Sequence, residues 1–263
     1  MKKSEPKKSA EPAYHNDAYL DSDDGRPIRI LAEYLEPLYR LKREEIHDTI
    51  VFFGSARLQE DGPLGKYYKD ARTLARLLTE WSQGLSGSKR FVVCSGGGGG
   101  IMEAANRGAA DAGGSTIGFN IGLPYEQRPN PYVTPSLLFE FHYFFMRKLW
   151  FSHLARALIV FPGGFGTLDE LMETLTLAQT KKIDREVIIL LYGSEYWNEV
   201  INFDALIKHG TIDAADMKLI HRVDDVQSAF TLLKDHLPKD KEPAFPAIAK
   251  ANFSKISSKD RIK

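Results

Sequence analysis

Residues 160–179 read VFPGGFGTLDELMETLTLAQ: the end of an apolar run, a turn holding Gly163, Gly164 and Gly166, then a helical pattern. Glycines free the backbone for close approach, and the N–H groups at a helix start attract anions. Thr167 stands where the helix begins, with a hydroxyl that can cap it or touch a phosphate. Glu170 follows Thr167 at the spacing of a capping box, and the helix dipole favours early acids whatever the function. Glu170 and Glu173 share a face, with Asp169 turned about 100° away from Glu170. Two acids on that face fit either a solvated surface or a reactive site.

Outward from this stretch, short apolar runs alternate with amphipathic segments. Strands are expected at 48–55, 89–96, 115–122, 137–144, 157–164 and 186–193, several of them apolar without interruption, as parallel strands covered on both faces are. Helices are expected near 28–45, 64–84, 99–112, 145–155, 166–180 and 195–208. The alternation predicts an α/β fold, a doubly wound Rossmann-like parallel sheet with helices on both faces.

A second glycine loop, CSGGGGGIMEAANRGAADAGG, begins at Cys94. It departs from a dinucleotide fingerprint, because Ile101 stands where a third glycine belongs and Asn120 follows where an acidic ribose ligand would be. It is not a Walker A loop either, since no glycine there precedes a Lys-Ser or Lys-Thr pair. Gly98, Gly99 and Gly100 are expected to contact phosphate, or else to form a flexible turn. FFGSAR supplies a third strand-end turn with Gly54, Ser55 and Arg57. Arg147 and Lys148 interrupt an aromatic segment, as a surface basic pair or as an arginine aimed into the crevice. Phe144, Phe145, Trp150 and Phe151 suit a core or subunit interface.

Lys+Arg and Asp+Glu both count 35, which argues against a nucleic-acid partner. The one cysteine, Cys94, excludes an internal disulfide framework. No apolar run reaches about 18 residues, so no membrane partner is expected, and the N-terminus lacks a signal-peptide pattern. The expected location is cytoplasmic. Composition divides the chain into a disordered leader (1–26), one Rossmann-like domain (27–237) and a loose basic tail (238–263).

SGGGGGIMEAANRGA, MRK at 146–148 and PGGFGTLDE, in that order, resemble the LONELY GUY family of phosphoribohydrolases, long mislabelled as lysine decarboxylases; the likeness spans about 48–230. It implies hydrolysis of the N-glycosidic bond of a nucleoside 5′-monophosphate, AMP or a cytokinin riboside monophosphate, by a homo-oligomer. The family's functional arginine falls on Arg147 and its motif glutamate on Glu170, the expected catalytic pair. The expected substrate contacts are Gly54, Ser55, Gly98, Gly99, Gly100, Met146, Lys148, Gly163, Gly164, Gly166, Thr167 and Glu173, with no metal and no cofactor. Glu103 departs from the short members' motif, where glycine stands. Glu126, Gln127 and Asn130 would line the base pocket or form an ordered surface loop. Competing readings are a nucleotide-binding or carrier module without catalysis, and a decarboxylase with Lys148 as Schiff-base lysine.

Overall fold

In the computed structural model, residues 12–85, 89–122, 128–183 and 185–237 are described. In chain order the elements are α1 (Asp17–Leu20), α2 (Arg26–Arg43), β1 (Thr49–Phe53), α3 (Gly65–Gln83), β2 (Val92–Ser95), α4 (Ile101–Asp111), β3 (Thr116–Ile121), β4 (Leu138–Phe141), α5 (Phe144–Leu154), β5 (Ala155–Val160), α6 (Phe165–Gln179), β6 (Ile188–Tyr192), α7 (Ser194–Val200), α8 (Phe203–Lys208), β7 (Ile220–Val223) and α9 (Val226–His236). The strands form one parallel sheet in the order β4-β3-β2-β1-β5-β6-β7.

The unbroken apolar runs follow from burial on both faces. Along β1, Val51 and Phe53 enter one core layer while Ile50 and Phe52 enter the other. β5 alternates likewise, with Leu158 and Val160 opposite Ala157 and Ile159. α2, α5, α6, α7 and α8 supply side chains to the first layer, and α3, α4 and α9 to the second. This is the doubly wound α/β arrangement expected.

Three details differ from the sequence reading. The helix expected over 195–208 is two helices, because Ile201 takes an extended conformation and the Asn202 side chain accepts from the Ala205 N–H at 2.9 Å, capping a new start. β7 and α9 were not among the expected elements. Residues 12–25 of the expected leader carry a 3-10 turn (Ala13–His15) and α1, and Arg29 donates to the carbonyls of Leu20 and Ser22. Residues 1–11 and the expected tail lie outside the described residues. No helix among those described is long and apolar enough to cross a membrane.

β1 enters the sheet beside a buried charge cluster. Asp48, 3% exposed, accepts from the Phe91 N–H at 2.6 Å and from Arg90 at 2.8 Å, so the acid is fully paired where it is desolvated.

At the other end of β1, α4 is drawn against the chain after the strand. The Ile101 N–H donates to the Ser55 carbonyl at 3.1 Å, and Gly100 turns with φ 64°. A Cβ on Gly100 would fall on the Ser55 carbonyl oxygen. Gly100→Ala is therefore expected to cost on the order of 3 kcal/mol, from left-handed strain plus overlap with backbone. A urea midpoint unchanged from wild type would refute that packing.

Candidate active site

The sheet order fixes where a ligand can enter. From β1 the chain proceeds to β2 on one side, whereas from the adjacent β5 it proceeds to β6 on the other. The turns after these two strands diverge and leave a crevice at their carboxyl ends. The Ser55 N–H donates to the Pro162 carbonyl at 2.9 Å and Phe161 N–H to Phe53 at 2.8 Å, which stitches the crevice floor. Above it lies a cleft of about 700 Å³.

Of the expected residues, Gly54, Ser55, Arg147, Gly163, Gly164, Gly166, Thr167 and Glu170 line this cleft together. The glycine turn forms one wall. Thr167 is not the cap: α6 starts at Phe165 after Gly164, with no side-chain cap, and the Thr167 N–H bonds the Gly164 carbonyl at 3.0 Å. The N–H groups of Gly164, Phe165 and Gly166 have no partner among the described residues, and a Cβ on Gly164 or Gly166 would meet nothing within 4 Å. Unpaired amides above open space at a helix start are suited to an anion. Gly163 is needed for packing, since its Cβ would lie 2.7 Å from that of Thr167.

Glu170 is 7% exposed and borders the same cleft one turn into α6. Burial pushes its carboxyl up to about 7; Lys148 and Arg147 pull it down, and Glu173 and Asp169 add to the rise. Burial likewise lowers the Arg147 guanidinium, with Glu170 the chief opposing influence. Arg147 is hooked by its Nε–H to the Phe119 carbonyl at 2.8 Å and lies over the Phe151 ring. Gly96 makes room for it: a Cβ there would overlap a guanidinium nitrogen and stand 2.7 Å from the Met102 sulfur.

Other expected contacts fall elsewhere. Gly98, Gly99 and Gly100 do not line the cleft. Asn130 is buried and binds the loop from beneath, its Nδ2–H donating to the carbonyls of Gly97 and Gly98 at 3.1 and 2.9 Å. It is thus a brace for the loop; Glu126 and Gln127 lie outside the described residues. Met146 is 6% exposed in the core. Lys148 bonds Asp169 at 2.7 Å and Glu173 at 2.6 Å, so Glu173 is held away from the main cleft. Helix geometry explains this, since residues four apart are offset by about 40° and residues three apart by about 60°. Asp169 and Glu173 therefore clasp one lysine while Glu170 turns inward. Glu103 accepts from the Tyr68 hydroxyl at 3.1 Å and ties α3 to α4.

Sequence reasoning missed the apolar lining, which includes Met102, Ile121, Phe144, Phe165 and Val200, and it missed Tyr196, whose hydroxyl donates to the Gly163 carbonyl at 2.9 Å. Phe165, 93% exposed between two glycines, was legible as a turn residue but not as a cleft wall. No group of three or more His, Cys, Asp or Glu side chains that could hold a metal ion occurs among the described residues.

Strand order and cleft thus define a Rossmann-like α/β protein with an open glycine turn, a buried acid and a half-buried arginine lining one cleft at its switch point. The sequence model of a family described as "Possible lysine decarboxylase" matches residues 102–233, half of the chain. The chain belongs to that family, which is the LONELY GUY family. Two relatives from Oryza sativa subsp. japonica are each named "Probable cytokinin riboside 5′-monophosphate phosphoribohydrolase". One is 27% identical over 201 residues, covering 72% of this chain and 84% of the relative. The other is 29% identical over 147 residues, covering 55% of this chain and 62% of the relative, so the match spans under two thirds of its length. An X-ray structure from a structural genomics consortium shares the fold at 18% identity and a TM-score of 0.50, covering 72% of this chain and 99% of its own.

Proposed function

We propose that the protein hydrolyses the N-glycosidic bond of nucleoside 5′-monophosphates, releasing free base and ribose 5-phosphate. The observation that carries this reading is Glu170, a buried carboxyl poised near neutrality, in one cleft with the open amides of residues 164–166. A 5′-phosphate seated on those amides directs the sugar toward the acid. As the C1′–N bond breaks, positive charge builds on the sugar ring, and an ionised carboxylate beside it stabilises that state. The same group can take a proton from the attacking water, a task suited to a pKa near the working pH. Arg147, fixed to the Phe119 carbonyl, holds Glu170 and the nucleotide in register. Met102, Ile121, Phe144 and Phe165 offer apolar surface to a purine. The rice relatives' names support the reaction class.

The family's descriptive name points instead to lysine chemistry, for which Lys148 is the candidate. Burial opposes its charge, but the bonds to Asp169 and Glu173 prevail and hold it protonated, which is the wrong state for attack on a carbonyl. The deciding experiment offers AMP, GMP, CMP and UMP to the purified chain and separates products by chromatography. Adenine and ribose 5-phosphate from AMP are expected; tight AMP binding without base release would identify a binding or carrier module instead.

A further inference from the structure

Two successive residues of α5 part company at the crevice. Arg147 reaches β3 and lines the main cleft, whereas Lys148, about 100° further round the helix, does not line it. Its ammonium is instead clasped by Asp169 at 2.7 Å and Glu173 at 2.6 Å. Those two acids bracket Glu170 in the opening turns of α6, so the clasp sets a cation alongside the turn that carries it. Lys148, Glu170 and Glu173 also share the wall of a small cavity of about 10 Å³, bordered by Phe53, Phe151 and Leu158, with room for no more than about one water. Glu170 and Phe53 stand between this cavity and the main cleft, since they line both. The Glu170 carboxyl makes no hydrogen bond or ion pair among the described residues. Of the three N–H groups on the Lys148 ammonium, two serve the clasp and one is left for a further acceptor.

A buried carboxylate without a partner is costly, and a cation acting on it through protein rather than bulk water is weakly screened. We propose that Lys148 is a positioning residue for Glu170: its ammonium, fixed by Asp169 and Glu173, holds the ionised carboxylate from the cavity side and leaves the cleft side to the sugar. This rests on the phosphoribohydrolase reading and adds to it the control of its acid. Lys148 then touches no part of the substrate, in contrast to the contact that its place in MRK suggests. The charged groups facing Glu170 are Lys148 and Arg147 from α5, with Asp169 and Glu173 from its own helix. β1 and β5 present Phe53 and Leu158, and Arg57 and Tyr196 share the lining of the main cleft. Against burial, which raises the Glu170 carboxyl, Lys148 pulls hardest and Arg147 next, while Glu173 and Asp169 add to the rise.

The test is the pH dependence of adenine release from AMP by the full chain, by Lys148→Met, by Lys148→Arg and by Glu173→Gln. Lys148→Met removes the cation at nearly constant length, so the acid limb of kcat/KM should move up by at least about one pH unit. At about pH 7 kcat/KM should fall about fivefold or more and recover by about pH 9, where KM for AMP should stay within about threefold of wild type. Lys148→Arg keeps the charge and should return the limb most of the way. Glu173→Gln deletes an acid that raises Glu170, so its limb should move down, opposite in sign to Lys148→Met. A limb unmoved by Lys148→Met overturns the proposal and leaves the lysine a structural tie; a KM raised more than about tenfold with the limb in place overturns it in favour of a substrate contact. Should Lys148→Met not fold, Glu173→Gln decides: a lower limb upholds the proposal, and an unchanged or higher one overturns it. Release of no base by the wild type would sink the hydrolase reading alone. Glu170 is then titrated directly by carbon-13 NMR of glutamate-labelled protein, its signal assigned by its loss in Glu170→Gln. A titration higher in Lys148→Met than in wild type upholds the clasp, and an unchanged one overturns it.

Discussion

Glu170→Gln is expected to reduce kcat for adenine release from AMP by about 10² to 10⁴-fold, the usual worth of a positioned acid–base group. The same change should make the protein more stable above pH 7. In the folded chain burial holds the carboxyl near 7, against 4.5 for an ordinary glutamate. Between those values the native state binds more protons than the unfolded one, so stability falls as pH rises through the window. Above pH 7 the ionised form costs about 3 kcal/mol in the native state, a cost glutamine does not carry. Melting curves of wild type and variant should therefore converge near pH 4.5 and separate at pH 8, with the variant higher. Equal activity would remove Glu170 from the reaction; a variant less stable at pH 8 would mean that the carboxylate is paired rather than strained. The acid limb of wild-type kcat/KM should likewise rise with pH to a plateau above about 7 as this group ionises.

Arg147→Ala should lower kcat/KM by about 10² to 10³-fold, from lost positioning and lost charge. It also deletes one of the two cations that pull the Glu170 carboxyl down. The acid limb of the pH profile should consequently move to higher pH, and the sign distinguishes the roles. An arginine that only gripped substrate would raise KM and leave the limb where it was. Arg147→Lys keeps the charge but not the Nε–H donated to Phe119, so it should restore the limb more fully than the rate.

Much of this was legible in the chain because the determinants are local. The runs IVFF and ALIV are apolar on both alternations, which only a doubly covered strand requires, and PGGFGT announces a strand, a turn and a helix in consecutive residues. β7 was not legible, since its four residues IHRV lie at the sheet edge and are half polar. Nor was the division of labour among the acids of α6, which is settled by Lys148 on another helix. Gly96 could be seen to be permissive but not why, because the guanidinium it accommodates is 51 positions later. The brace under the glycine loop is likewise a long-range matter: Asn106 accepts from Ser95 and Asn130 at 2.7 and 2.9 Å and donates to Thr116.

Arg147 takes its bearing from β3, through the Phe119 carbonyl, whereas Glu170 rides on the helix between β5 and β6. The two groups are thus anchored on opposite sides of the β1–β5 seam, where Phe52 stacks on Phe161. Any loosening of that seam would alter the gap between the two side chains. Thinning the aromatic packing there should therefore blunt turnover through geometry alone, well before the domain begins to melt.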